Sequence, residues 1–217
     1  MLRVDSEGYK IGAVILTVAV LLRIVYGVIG WQILLWAALF CIVLAGYTLY
    51  FFRDPHRIVP EEKGAAVSSA DGVIVDVSKV AADGFKNGAL RIAVFMNVFN
   101  VHINRIPVSG TVIDTKHCPG KKLSAYNKRA EYENEYADTD VETSYGLVRV
   151  RQIAGLIARR VVARAKTGNT LEKGARIGLI RFGSRVDVFF PETFKPSVKN
   201  GDRVRAAETV IARLDEA

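Results

Sequence analysis

Ser184 stands at the break in an otherwise apolar, β-prone run, Arg181-Phe182-Gly183-Ser184-Arg185-Val186-Asp187-Val188-Phe189-Phe190-Pro191. A serine hydroxyl becomes a nucleophile when a base takes its proton and an acid orients that base. The sequence holds only three histidines, His56, His102 and His117. His102 is the one that follows an apolar strand pattern, in Phe95-Met96-Asn97-Val98-Phe99-Asn100-Val101-His102-Ile103-Asn104-Arg105-Ile106-Pro107. Asp71, in Ser68-Ser69-Ala70-Asp71-Gly72, is a candidate acid. Each residue also has an ordinary reading: Gly183-Ser184 as a hairpin turn, His102 as a satisfied structural histidine, Asp71 as a turn residue opening a strand. Their separation in sequence neither supports nor excludes contact. No Gly-X-Ser-X-Gly elbow is present, so an ordinary serine hydrolase is not the first choice. No Cys-X-X-Cys, His-Glu-X-X-His or acidic calcium loop is present either, and no metal site is expected.

The elements that must position these residues read as short strands punctuated by glycine turns. The expected strands are Gly72 to Ser78, Leu90 to Met96, Gly110 to Thr115, Thr143 to Ile153, Ile157 to Ala165, Arg176 to Phe182, Arg185 to Phe190 and Thr209 to Leu214. Spacing of that kind predicts a mainly β, barrel-sandwich domain. The segments around Ser109-Gly110 and Asn200-Gly201 resemble the strand-turn-strand signature of biotinyl/lipoyl-like domains. Gly183-Ser184 is expected to be a tight turn or bulge between paired strands. Residues 116–142 form the longest stretch without a strand pattern, basic at first (Lys116, Lys121, Lys122, Lys128, Arg129) and acidic later (Glu131 to Glu142). A stretch of that length is either a lid facing anionic headgroups or a solvated loop.

The N-terminal quarter differs in kind. Ile11 to Ile29, interrupted by Arg23, and Trp31 to Phe52 are each about the 20 apolar residues that cross a bilayer, and their short connection predicts a hydrophobic helical hairpin. Arg3, Lys10, Arg53 and Arg57 flank its outer ends, which puts both ends in the cytoplasm. The absence of a convincing cleavage site and the second apolar segment favour an anchor over a signal peptide. The expected organisation is an anchor over 1–52, a connector over 53–64 and a catalytic domain over 65–217. A formal net charge of +8 then points to an anionic lipid surface rather than to nucleic acid. Cys41 and Cys118 do not make a disulfide framework.

Several blocks in order, Phe52-Arg53-Asp54-Pro55-X-Arg57, Ala70-Asp71-Gly72, the Asn97 to Gly110 segment, Asn134-Glu135 and Arg181-Phe182-Gly183-Ser184-Arg185-Val186-Asp187, resemble those of the short-form phosphatidylserine decarboxylase proenzymes. The resemblance covers essentially the whole chain. It implies a self-processing decarboxylase of the inner membrane, acting at its cytoplasmic face. Ser184 attacks the Gly183 carbonyl, the chain is cut into a β chain (1–183) and an α chain (184–217), and residue 184 becomes a pyruvoyl group that serves as the electron sink. Glycine before the serine suits a close approach of the hydroxyl. The implied partners are phosphatidylserine in the membrane and the two chains of one precursor, with a homodimer among the assemblies it allows. Asp71 matches the acid of self-cleavage and His102 the histidine of decarboxylation, while Arg105, Asn134 and Glu135 match the substrate-binding blocks. In long-form relatives a His-Arg-X-His-X-Pro pattern supplies a second histidine. Aligned on Pro107, that position is Arg105, so either His102 serves both steps or Arg105 and water replace part of the machinery. The competing reading is a non-enzymatic, membrane-tethered lipoyl-like adaptor, which gives no reason for the Gly-Ser break.

Overall fold

The computed structural model describes residues 3–121, 123, 133–155, 160–181 and 184–215. They form two compact units, Met1–His56 and Arg57–Ala217.

In the first unit β1 (Arg3–Val4) leads into α1 (Ser6–Ile29), whose N-cap Asp5 accepts a hydrogen bond from Glu7 N. The helix ends at Gly30, where a left-handed φ of 77° turns the chain into α2 (Gln32–Phe51). At 1.5 Å per residue both helices span about 30 Å or more, the thickness of a bilayer core, and both are long and apolar enough to cross one. They run antiparallel. Gly8 packs on Phe52, and a Cβ on Gly8 would come within 2.6 Å of the Phe52 Cβ, so glycine sets how closely the helices approach. β2 (Arg53–Asp54) pairs with β1 and closes the open end of the hairpin. Arg23 lies over the Tyr26 ring, 5.3 Å from its centroid, in the last turns of α1.

The second unit is mainly β, as expected. Its strands are β3 (Ala65–Val67), β4 (Gly72–Val80), β5 (Ala89–Met96), β6 (Ile103–Arg105), β7 (Gly110–Cys118), β8 (Tyr136–Thr143), β9 (Gly146–Ala154), β10 (Val161–Ala163), β11 (Thr170–Leu171), β12 (Arg176–Ile180), β13 (Ser184–Pro191), β14 (Phe194–Pro196), β15 (Arg203–Val204) and β16 (Val210–Leu214). An eight-stranded sheet runs in the order β11-β7-β8-β9-β13-β5-β4-β15, beside three-stranded sheets β10-β12-β6 and β14-β16-β3.

Period-two alternation builds the core. Val186, Val188 and Phe190 of β13 face inward with Leu90, Ile92, Val94 and Met96 of β5 and Val148, Val150 and Ala154 of β9, against Ile106, Ile177, Ile180 and Ile211. The alternate residues carry a ladder of ion pairs: Arg91–Asp76, Arg185–Asp187, Arg151–Asp138 and Arg149–Asp140. Burial pulls the Arg151 pKa down, but the hydrogen bond and charge of Asp138 outweigh it and the net shift is upward. At Arg149 the hydrogen bond to Asp140 is the largest cause of a raised pKa.

Two expectations are corrected. β12 and β13 do not form a hairpin: β12 pairs with β6 and β10, whereas β13 pairs with β5 and β9. Between Ile180 and Ser184 the chain leaves one sheet and enters another. Nor is the 116–142 region strandless, because β7 continues to Cys118 and β8 begins at Tyr136. The acidic residues read as loop, Asp138 and Asp140, are the outward partners of Arg151 and Arg149 in the ladder. Lys122, Lys128, Arg129 and Glu131, on which the lid reading rests, lie outside the described residues, as does Gly183.

Candidate active site

Ser184 is the first residue of β13, directly opposite Met96 on one side and Ala154 on the other. It shares the inward face with Val186 and Val188 and is fully buried. Among the described residues its Oγ has no hydrogen-bond partner. An unpaired buried hydroxyl costs about 1–3 kcal/mol, so packing alone does not account for it.

Asp71 immediately precedes β4. Gly72 beside it runs so close to β5 that an added Cβ would collide with the Phe95 carbonyl oxygen. The Asp71 carboxylate accepts from Arg57 Nη2 through both oxygens, at 3.0 and 2.8 Å, and from Ala206 N at 2.8 Å. Arg57 also reaches Glu208, 3.3 Å away.

His102 is set by a turn that satisfies its own backbone. Asn97 N donates to Asn100 Oδ1, and Phe99 N to Asn97 Oδ1, both at 2.9 Å. The Asn100 carbonyl in turn lies 3.0 Å from His102 Nδ1. A carbonyl can only accept, so the proton of the neutral ring sits on Nδ1 and Nε2 is the basic nitrogen. That Nε2 is buried. The His102 carbonyl accepts from Ile180 N at the end of β12.

Ser184 at the start of β13, Asp71 at the start of β4, His102 after the end of β5 and Ala154 at the end of β9 therefore collect at one end of the large sheet. Asp71 and Ser184 are separated by β5, which puts their backbones about 10 Å apart at two strand spacings. The carboxylate is bonded to Arg57 and Ala206 rather than to His102 or Ser184.

The other expected residues have definite places. Arg105 donates from Nη1 to Gly174 O, 3.0 Å away, and its backbone N donates to Ser69 O, two residues before Asp71. Asn134 is buried and gives its amide protons to Leu123 O and Ala154 O, at 2.8 and 2.7 Å, so it clamps its segment onto the residue paired with Ser184. Glu135 Oε1 accepts from Val161 N and lies 3.0 Å from His117 Nε2.

Reading the sequence missed two fully buried amides, Asn104 of β6 and Gln152 of β9, which hydrogen-bond to each other at 2.7 Å. The available signal was phase: Gln152 falls in the inward register of Val148 and Val150. Arg57 was read as a flanking charge and as the end of the Phe52-Arg53-Asp54-Pro55-X-Arg57 block, and its role as the clasp on Asp71 required the fold.

The family model described as phosphatidylserine decarboxylase matches residues 44–212. The chain is 41% identical over 212 residues to the phosphatidylserine decarboxylase proenzyme of Geotalea uraniireducens, covering 97% of this chain and 96% of that relative. The protein of the same name from Pelobacter propionicus is 47% identical over 179 residues, covering 82% and 81%. That from Ralstonia nicotianae is 46% identical over 188 residues, covering 86% and 85%.

Proposed function

The chain belongs to the phosphatidylserine decarboxylase family, and on that premise we propose that it decarboxylates phosphatidylserine to phosphatidylethanolamine with a pyruvoyl group made from its own Ser184. The observation that carries this reading is the Ser184 hydroxyl, fully buried, without a partner among the described residues, at the first position of a central strand. A buried hydroxyl without a partner, next to its own preceding peptide bond, is placed for attack within the chain.

In the proposed self-processing, Ser184 Oγ attacks the carbonyl carbon of Gly183. The Oγ–C bond forms, the C–N bond breaks and the hydroxyl proton ends on the nitrogen, which leaves an ester. Removal of the Ser184 α proton then expels the Gly183 carboxylate and cuts the chain. Hydrolysis of the resulting dehydroalanine by water releases ammonia and leaves a keto group at residue 184. His102 Nε2 is the proposed base, its tautomer set by Asn100 O. Asp71, clasped by Arg57, is the proposed acidic member of the machinery, at the same end of the sheet.

The surroundings of residue 184 fit a pyruvoyl group. Met96 and Ala154 on either side are apolar and buried, and leave the carbonyl of such a group in a low-dielectric surrounding. A pyruvoyl group supplies an electrophilic carbonyl for the substrate amine and a sink for the electrons released with carbon dioxide. Arg105, Asn134 and Glu135 are the proposed substrate-side residues, with Asn134 acting by bracing the backbone beside residue 184. After cutting, the α chain would be held by β13, which is paired along its length to β5 and β9, and by β16, paired to β3. The helical hairpin is the proposed anchor in the inner membrane, with both ends cytoplasmic.

Intact mass measurement of the purified protein tests the proposal. The expected result is two polypeptides, 1–183 and a carbonyl-blocked 184–217, together with release of carbon dioxide from phosphatidylserine vesicles. A parent chain that stays whole through prolonged incubation overturns it.

A further inference from the structure

Gln152 and Asn104 form a polar bridge in the apolar core. Gln152 Nε2 donates to Asn104 Oδ1 at 2.7 Å, and Asn104 Nδ2 lies 3.7 Å from Met96 Sδ. Gln152 belongs to β9 and Met96 to β5, the two neighbours of β13. The bridge therefore passes over β13, and the inward side chains of that strand at this level are Ser184, opposite Met96, and Val186, opposite Gln152.

Two atoms under and beside this bridge have unused hydrogen-bonding capacity. Gln152 Oε1 and Ser184 Oγ are both buried and have no partner among the described residues. One is an acceptor and the other can donate. Gln152 and Ser184 are diagonal neighbours on one sheet face, a separation of about 7 Å or less between Cβ atoms, which a glutamine side chain spans. Val148, Val150 and Ala154 occupy the other inward positions of β9. An apolar side chain at 152 would satisfy the core better than an amide that leaves its oxygen unpaired, so stability does not explain this residue.

We infer that Gln152, braced by Asn104, is a positioning residue for self-cleavage: its Oε1, unpaired among the described residues, is the acceptor that a rotation of the Ser184 hydroxyl engages to fix the nucleophile for attack. The inference rests on Ser184 being the self-cleavage nucleophile. A neutral amide orients the hydroxyl and does not remove its proton, so the base remains a separate group. The arrangement gives the nucleophile a fixed rotamer.

The test follows cutting of newly synthesised full-length chain by intact mass across a pH series, for the parent, Gln152→Met, Asn104→Leu and the double variant. Unfolding midpoints are measured in the uncut Ser184→Ala background. Gln152→Met is expected to slow cutting by about tenfold to a hundredfold with the shape of the pH profile unchanged, because no titrating group is lost. Its unfolding midpoint is expected to hold or rise. The double variant is expected to cut no more slowly than the slower single, because both changes break one bridge. Parent-like cutting by Gln152→Met overturns the inference, as does a midpoint lowered by more than about 5 °C, which for a domain of this size marks a structural strut. A pH profile that loses a limb also overturns it and assigns the residue to proton transfer. A parent chain that never cuts would instead remove the proposed function itself.

Discussion

Arg57 closes on Asp71 through both carboxylate oxygens, at 3.0 and 2.8 Å, with the two side chains only 8% and 12% exposed. Breaking a buried pair on one side strands the other charge. Arg57→Ala is therefore expected to destabilise the β unit by about 3–5 kcal/mol, and Arg57→Lys by less, since it keeps the charge and loses the fork. Urea denaturation of the uncut Ser184→Ala protein reads this directly. A midpoint unmoved by Arg57→Ala would show that Asp71 is solvated rather than clasped.

His102 presents Nε2 because Nδ1 is committed to the Asn100 carbonyl. His102→Ala is expected to slow both chain cutting and decarboxylation, each by about a hundredfold or more, the usual weight of a general base. Cutting is read by mass and decarboxylation by carbon dioxide released from vesicles. A variant that cuts normally and fails only in decarboxylation would confine His102 to the second step.

The ladder opposite the core makes a pH prediction. Burial raises the Asp76 pKa, but hydrogen bonds from Ser78 and Arg91 outweigh it, and the net value lies below the ordinary 3.8. A carboxylate with a lowered folded pKa stabilises the fold above its unfolded pKa and loses that contribution as pH falls through the folded value. The stability difference between the parent and Asp76→Asn is thus expected to be constant near neutrality and to shrink below about pH 3.8. Denaturation midpoints compared from pH 7 downward check it; a difference that grows on acidification would reverse the sign of the shift.

Gly72 is expected to tolerate no side chain. A Cβ there would meet the Phe95 carbonyl oxygen, and the Val94 Cγ1 at 3.0 Å. β5 is paired on both sides and cannot recede. Gly72→Ala should cost about 2 kcal/mol or more and slow chain cutting by shifting Asp71. Thermal unfolding and cutting rate, measured together, check both effects.

The sequence by itself determined the strand phase of Leu90 to Met96 and Arg185 to Phe190, the two apolar helices, and the Gly-Ser break that marks Ser184. These are local signals, carried by period-two alternation, by the length of an apolar run and by one small-residue pair, and each is complete within about twenty residues. β8 was illegible because its inward residues Ala137 and Thr139 are small or polar, while its outward Asp138 and Asp140 read as loop until Arg151 and Arg149 face them. Tertiary structure alone decided that β12 and β13 part into different sheets, that Arg57 grips Asp71, and that Gln152 and Asn104 meet over β13. Strand pairing brings together residues distant in sequence, and one polar residue in an apolar strand does not name its partner. The Ser184 hydroxyl was visible in the sequence; its burial beside an unpaired amide oxygen required the fold.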